Sequence, residues 1–133
     1  MKVLADSSVI INSLRGVKTP ASRRFDRMMT SASLPAITPD IYQEVLQGAA
    51  DAQYFARLRE QLQRLPMVEP ANVYNTRSQA AWLYASLRWR GVTVRSTIDC
   101  LIAITAIEHD LSLLQDDQDY ERIARAEPRL KLA

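Results

Sequence analysis

Five carboxylates in four separated stretches are the side chains of this 133-residue chain best placed to do chemistry: Asp6, Glu44, Asp99, and the pair Asp117 and Asp119. Histidine occurs once (His109) and cysteine once (Cys100), so histidine-rich metal sites are excluded and a serine–histidine–acid triad has little room. With three glycines, at positions 16, 48 and 91, neither a GxxxxGK[ST] phosphate loop nor a GxGxxG turn is present. Acids alone can act if they converge. Two carboxylates 4 Å apart repel by about 4 kcal/mol at an effective dielectric of 20, so a cluster persists only if some acids hold protons or a cation neutralises them. Oxygen-only donors suit Mg²⁺ or Mn²⁺. Such an ion makes water a nucleophile at neutral pH and offsets charge on a phosphodiester, so the implied chemistry is metal-dependent phosphodiester hydrolysis.

Convergence depends on the elements that carry the acids. Apolar segments at 2–5, 34–38, 67–69, 111–115 and 129–132 read as short strands. Between them, helical patterns cover 8–15, 20–29, 39–48, 51–65, 72–90, 97–109 and 119–126. Thr38-Pro39 is a helix start, and Gly16, Gly48 and Gly91 mark helix ends. Strands alternating with helices predict an α/β fold: a three-layer α/β/α sandwich around a parallel sheet of four to five strands, as a single domain over 1–133. In such sheets the functional crevice lies at the carboxyl ends of the strands. Asp6 follows the first strand directly. Glu44 lies in the second turn of the helix leaving the second strand, roughly 8 Å down, within reach of a long side chain. From Asp99, about ten residues of helix descend ~15 Å and five residues of strand climb back ~16 Å, so Asp117 and Asp119 return beside it.

Hydrophobic residues are 47% and charged residues 24%, which excludes disorder and fibrous sequence. No apolar run approaches the roughly 20 residues of a membrane span. The opening MKVLADSSVIINSLRG meets Asp6 at once and reads as folded structure, not a signal peptide. A single cysteine fits the reducing cytosol, so a cytoplasmic setting is expected. Seventeen basic against fifteen acidic residues give +2, and fourteen of the seventeen are arginine, which suits phosphate and stacks on bases. Arg88, Arg90 and Arg95, with Trp82 and Trp89 nearby, are the candidates for nucleic-acid contact, tracking a phosphate backbone and stacking bases. Arg23, Arg24 and Arg27 form a second basic cluster.

Each acid also has a structural explanation. Asp6 could cap the following helix. Asp99 could close a box with Ser96 or complement the helix dipole. Glu44 could be a solvated helix residue, and residues 116–119 a polar loop. None of these explanations predicts convergence at one edge.

The stretches VLADSS, TPDIYQE, STIDCLIAITA and LLQDDQDYERI, in this order and over nearly the whole chain, resemble the PIN-domain ribonucleases, in particular VapC-type toxins of bacterial toxin–antitoxin pairs. The resemblance implies an α/β/α sandwich and divalent-metal-dependent cleavage of RNA, often tRNA or rRNA. It further implies a homodimer and a small VapB-type antitoxin. By position, Asp6, Glu44, Asp99 and Asp117 resemble the family's acidic quartet. Asp6, Asp99, Asp117 and Asp119 would hold Mg²⁺ or Mn²⁺, and Ser8 resembles the residue supporting the first Asp. Gln115 and Asp116 stand where Thr and a basic residue are common, which leaves the roles of Asp116, Asp117 and Asp119 open. Two rival expectations are a general RNA-processing nuclease of the same fold and a non-catalytic acidic pocket that captures a basic peptide. A haloacid-dehalogenase phosphatase would need a second Asp where Ser8 stands, and a receiver domain a late lysine better placed than Lys131.

Overall fold

The computed structural model describes residues 2–133. Two strands, β1 (Val3–Ala5) and β2 (Ser112–Leu114), pair in parallel with Leu4 opposite Leu113. Three further parallel bridges extend this ladder: Leu4 to Ala36, Ile37 to Met67, and Leu113 to Leu132. The spatial order is therefore 67, 36–37, β1, β2, 132, and all five segments expected as strands take part. The other three are shorter than expected: the 36–37 segment makes one bridge to each neighbour, and Met67 and Leu132 make one each. Proline accounts for this: Pro35 and Pro39 bracket one segment, Pro66 and Pro70 the next, and Pro128 precedes the last. A proline has no N–H to give a ladder.

Seven helices fill the intervals: α1 (Ser7–Leu14), α2 (Pro20–Met29), α3 (Pro39–Leu46), α4 (Ala52–Leu62), α5 (Val73–Trp89), α6 (Thr97–Glu108) and α7 (Gln118–Ala126). Their starts are written in side chains. Thr19 and Ser22 form a capping box before Pro20, and Thr38 caps α3 ahead of Pro39. Asp51 and Asn72 cap α4 and α5. Gly16 and Gly91 follow α1 and α5 at φ +73° and +80°, a conformation that costs glycine nothing.

The helices pack in two groups. In one, α1 lies on α2 and α3, and α3 on α4; in the other, α6 lies on α5 and α7 and against β2. With the sheet between them, this is the expected α/β/α layering. Residues Cys100 to Ala106 of α6 are buried without interruption, because α5 covers one side and the sheet the other. Leu4, Leu113 and Leu114 are at most 1% exposed, and full burial of such a side chain contributes about 1.5–3 kcal/mol. No helix among the described residues is long and apolar enough to cross a membrane.

Candidate active site

The sheet ends, and helices begin, where the acids meet. Asp6, directly after β1, is the N-cap of α1. Its Oδ2 accepts from the Ser8 backbone N–H at 3.0 Å and from the Ser8 hydroxyl at 2.6 Å. Its Oδ1 accepts from the Tyr120 hydroxyl at 2.8 Å. The residue is buried. Burial pushes its carboxyl above the usual range; the bonds from Ser8 and Tyr120 oppose this, and the nearby Glu44 charge adds to it. Capping and a place in the cluster are thus both true of Asp6.

Asp99 sits in the first turn of α6. Ser96 caps that helix through the Ile98 N–H, and the Asp99 carboxylate turns instead to Tyr120, whose hydroxyl lies 3.3 Å from Asp99 Oδ1. Burial, then the charges of Asp6 and Asp117, push the Asp99 carboxyl up to about 7. Glu44, on the exposed side of α3, is fixed through Oε1 by the hydroxyl of buried Ser7. Asp117 is the N-cap of α7. One oxygen from each of Asp99, Asp117 and Asp119 falls within 4.8 Å of the others.

The three acids of the 116–119 loop divide clearly. Asp116 turns away from the cluster and accepts from Asn12 Nδ2 at 3.0 Å and Thr19 Oγ1 at 2.7 Å, joining the loop to α1 and the start of α2. Its backbone N–H donates to Ser8 Oγ at 3.0 Å, so Ser8 ties this loop to Asp6. Asp117 faces the cluster, and its Oδ1 accepts from Arg95 Nη2 at 2.7 Å. Asp119 is fully buried, with both oxygens engaged. Oδ2 accepts from the Arg95 backbone N–H at 2.9 Å and from Arg95 Nε at 3.1 Å, and Oδ1 accepts from Arg122 Nη1. Burial alone would raise the Asp119 carboxyl, but these donors hold it below the ordinary range. Asp119, expected among the metal ligands, has an oxygen inside the cluster with Asp99 and Asp117, and it also pairs with the guanidinium groups of Arg95 and Arg122.

Of the three candidate RNA contacts, only Arg95 reaches the acids. Arg88 lies 6.0 Å over the Tyr84 ring, and Arg90 stands exposed at the end of α5. The spacing did not single out Ser7, Arg122 or Tyr120. A signal for Tyr120 existed, because a tyrosine on the inner face of an amphipathic helix needs a partner for its hydroxyl. Burial and the charges of Asp6 and Asp99 push that phenol well above its usual range, so it remains a donor.

Among the described residues, Asp99, Asp117 and Asp119, with Asp6 joined to Asp99 through the Tyr120 hydroxyl, supply only oxygen and have no histidine or cysteine sulfur among them. Such a donor set fits a hard dication such as Mg²⁺ or Mn²⁺.

Residues 3–126 match the model of the PIN domain family, and the chain belongs to that family. Its curated relatives include Ribonuclease VapC11 of Mycobacterium tuberculosis and a VapC ribonuclease of Mycobacterium bovis, each 32% identical over 124 residues and 92% of both chains. Among solved structures, VapBC2 from Rickettsia felis, crystallised bound to a DNA fragment from its promoter, is similar at a TM-score of 0.71. That alignment covers 100% of this chain and 98% of the other at 17% identity, and shows the shared fold.

Proposed function

We propose that the chain is a single-domain, divalent-metal-dependent endoribonuclease of the VapC kind, the toxin of a toxin–antitoxin pair. The observation that carries this is the meeting of Asp6 and Asp99 at one tyrosine hydroxyl, with Asp117 and Asp119 beside Asp99, within a chain 32% identical to VapC ribonucleases. Asp6, Glu44, Asp99 and Asp117 are the catalytic acids, and Asp6, Asp99 and Asp117 hold Mg²⁺ or Mn²⁺. Asp119 supports them by fixing Arg95. When bound, the ion supplies positive charge to a phosphodiester undergoing displacement and makes water a stronger nucleophile at neutral pH. The chain's own residues do the rest. Ser8 and Tyr120 hold Asp6 and Asp99 in register. Ser7 takes one Glu44 oxygen, leaving Oε2 to orient a water. Arg95, bonded to Asp117, offers the rest of its exposed guanidinium to a substrate phosphate. The substrate is RNA, with tRNA or rRNA as the expected target, and the partners are a small VapB-type antitoxin and a second copy of the chain. The setting is the cytoplasm.

The test is expression of wild type and Asp99→Asn in a bacterial host, with mapping of new RNA 5′ ends and assays of the purified proteins. Wild type produces discrete new ends and requires Mg²⁺ or Mn²⁺. Asp99→Asn is folded and inactive; full activity in that variant overturns the assignment.

A further inference from the structure

Below the acids, an open trough of about 470 Å³ lies between the end of α5 and one face of α7, and three of its lining residues are arginines: Arg90, Arg122 and Arg125. No carboxylate lines it. Arg122 is paired with buried Asp119, whereas Arg90 and Arg125 have no salt-bridge partner among the described residues. Guanidinium groups gathered around one trough repel each other, and an anion there relieves the repulsion.

The trough is also continuous with the acid cluster. Arg122 shares Asp119 with Arg95, which bonds Asp117. Asp119, Arg122 and Arg125 recur at three-residue spacing, one face of α7, and six residues of helix span about 9 Å. A chain of positive groups therefore leads from the carboxylates into the trough. At its far side Arg90 also lines a second depression with Trp82, a residue that is 66% exposed. An exposed indole next to Arg90, with the Arg129–Glu127 pair on the other side, suits a nucleic-acid strand, offering a stacking face beside a phosphate seat.

We propose that the trough of Arg90, Arg122 and Arg125 is a positioning site that seats a backbone phosphate of the substrate RNA beyond the scissile bond, with Trp82 stacking an adjacent base. This rests on the ribonuclease reading and adds where the flanking strand runs. Arg90 and Arg125 position the strand without touching the reacting atoms, and both are exposed, so their removal leaves the fold intact.

The experiment measures binding of a short fluorescein-labelled single-stranded RNA of mixed sequence to the full chain in EDTA, by anisotropy across a range of NaCl concentrations. The double variant Arg90→Ala/Arg125→Ala is expected to bind about tenfold more weakly or worse, with the slope of log affinity against log salt smaller by about 0.7 for each phosphate no longer neutralised. Trp82→Ala is expected to lose about fivefold or more while keeping the wild-type salt slope, because stacking carries no charge. A double variant with wild-type affinity and slope overturns the proposal. So does one that loses affinity for a polyglutamate peptide and not for RNA, which would make the trough a protein-docking site. Wild type that cuts RNA alongside such a variant defeats the trough alone, whereas wild type that neither cuts nor binds RNA defeats the ribonuclease reading with it.

Discussion

Tyr120 donates its phenolic hydroxyl to Asp6 Oδ1 at 2.8 Å, joining residues 114 positions apart in the sequence. Both are buried, one at the end of the first strand and the other in the first turn of the last helix. The bond ties the start of the last helix to the end of the first strand.

Tyr120→Phe keeps the ring and removes the donor, so Asp6 Oδ1 loses its partner in a buried place. A destabilisation of about 1–2 kcal/mol is expected in EDTA at neutral pH, read as a lower urea midpoint at unchanged m-value. An unchanged midpoint would show that the bond contributes nothing.

Asp99, raised to about 7 by burial and by the charges of Asp6 and Asp117, gives stability a definite pH dependence. In an unfolded chain an aspartate titrates near 3.9, so between about pH 4 and 7 the folded chain holds a proton that the unfolded chain has released. The contribution is full below about pH 4 and is lost as pH rises through about 7. Asp6, also raised, acts in the same direction. Asp119, lowered, acts oppositely, but its contribution is lost only as pH falls below about 4. Urea titrations in EDTA should therefore show stability falling from about pH 5 to about pH 8, by up to about 1.4 kcal/mol per unit for each proton. Asp99→Asn flattens the fall. Added Mg²⁺ stabilises wild type more at about pH 8 than at about pH 5, since its ligands must be deprotonated.

Asp116 and Asp117 are adjacent in sequence and face different partners. Asp116→Ala removes the acceptor for Asn12 and Thr19, costing about 1–2 kcal/mol, while Mg²⁺-dependent cleavage stays within about tenfold of wild type. Asp117→Asn abolishes cleavage in a folded protein. Melting curves and rates on the same preparations separate the two, and equal loss of activity would refute the division.

Asp119→Asn tests whether this acid supports the site or ligates the ion. Loss of its charge from between Arg95 and Arg122 should weaken Mg²⁺ binding about tenfold, the size of an outer-partner effect. Asp117→Asn should leave no heat in calorimetric titration. Loss of all binding in Asp119→Asn would return Asp119 to the ligand set.

Element order and the meeting of the acids were legible in the sequence because both follow from topology. A carboxylate directly after a strand, or at the start of a helix that leads into one, has its position set by backbone rise alone. The shortness of the outer strands was less legible, although Pro35, Pro66 and Pro128 stood beside them. What stayed hidden depends on side-chain direction. Ser7 and Ser8 are neighbours, yet Ser7 holds Glu44 and Ser8 holds Asp6. Asp116 faces α1 and α2 while Asp117 faces Arg95. Arg95, read only as an RNA contact, bonds two acids. Such choices are made by partners far away in the chain, which local pattern does not encode.

Asp6 and Asp117 each cap a helix, and Asp99 stands in the first turn of a third. The amide groups at the open ends of α1 and α7 therefore grip two of the carboxylates whether or not an ion is bound. Departure of the proposed ion would remove a counter-charge and leave that grip in place. A divalent ion held there as proposed would then come and go within one architecture, its loading set by the free ion in the surroundings and not by refolding.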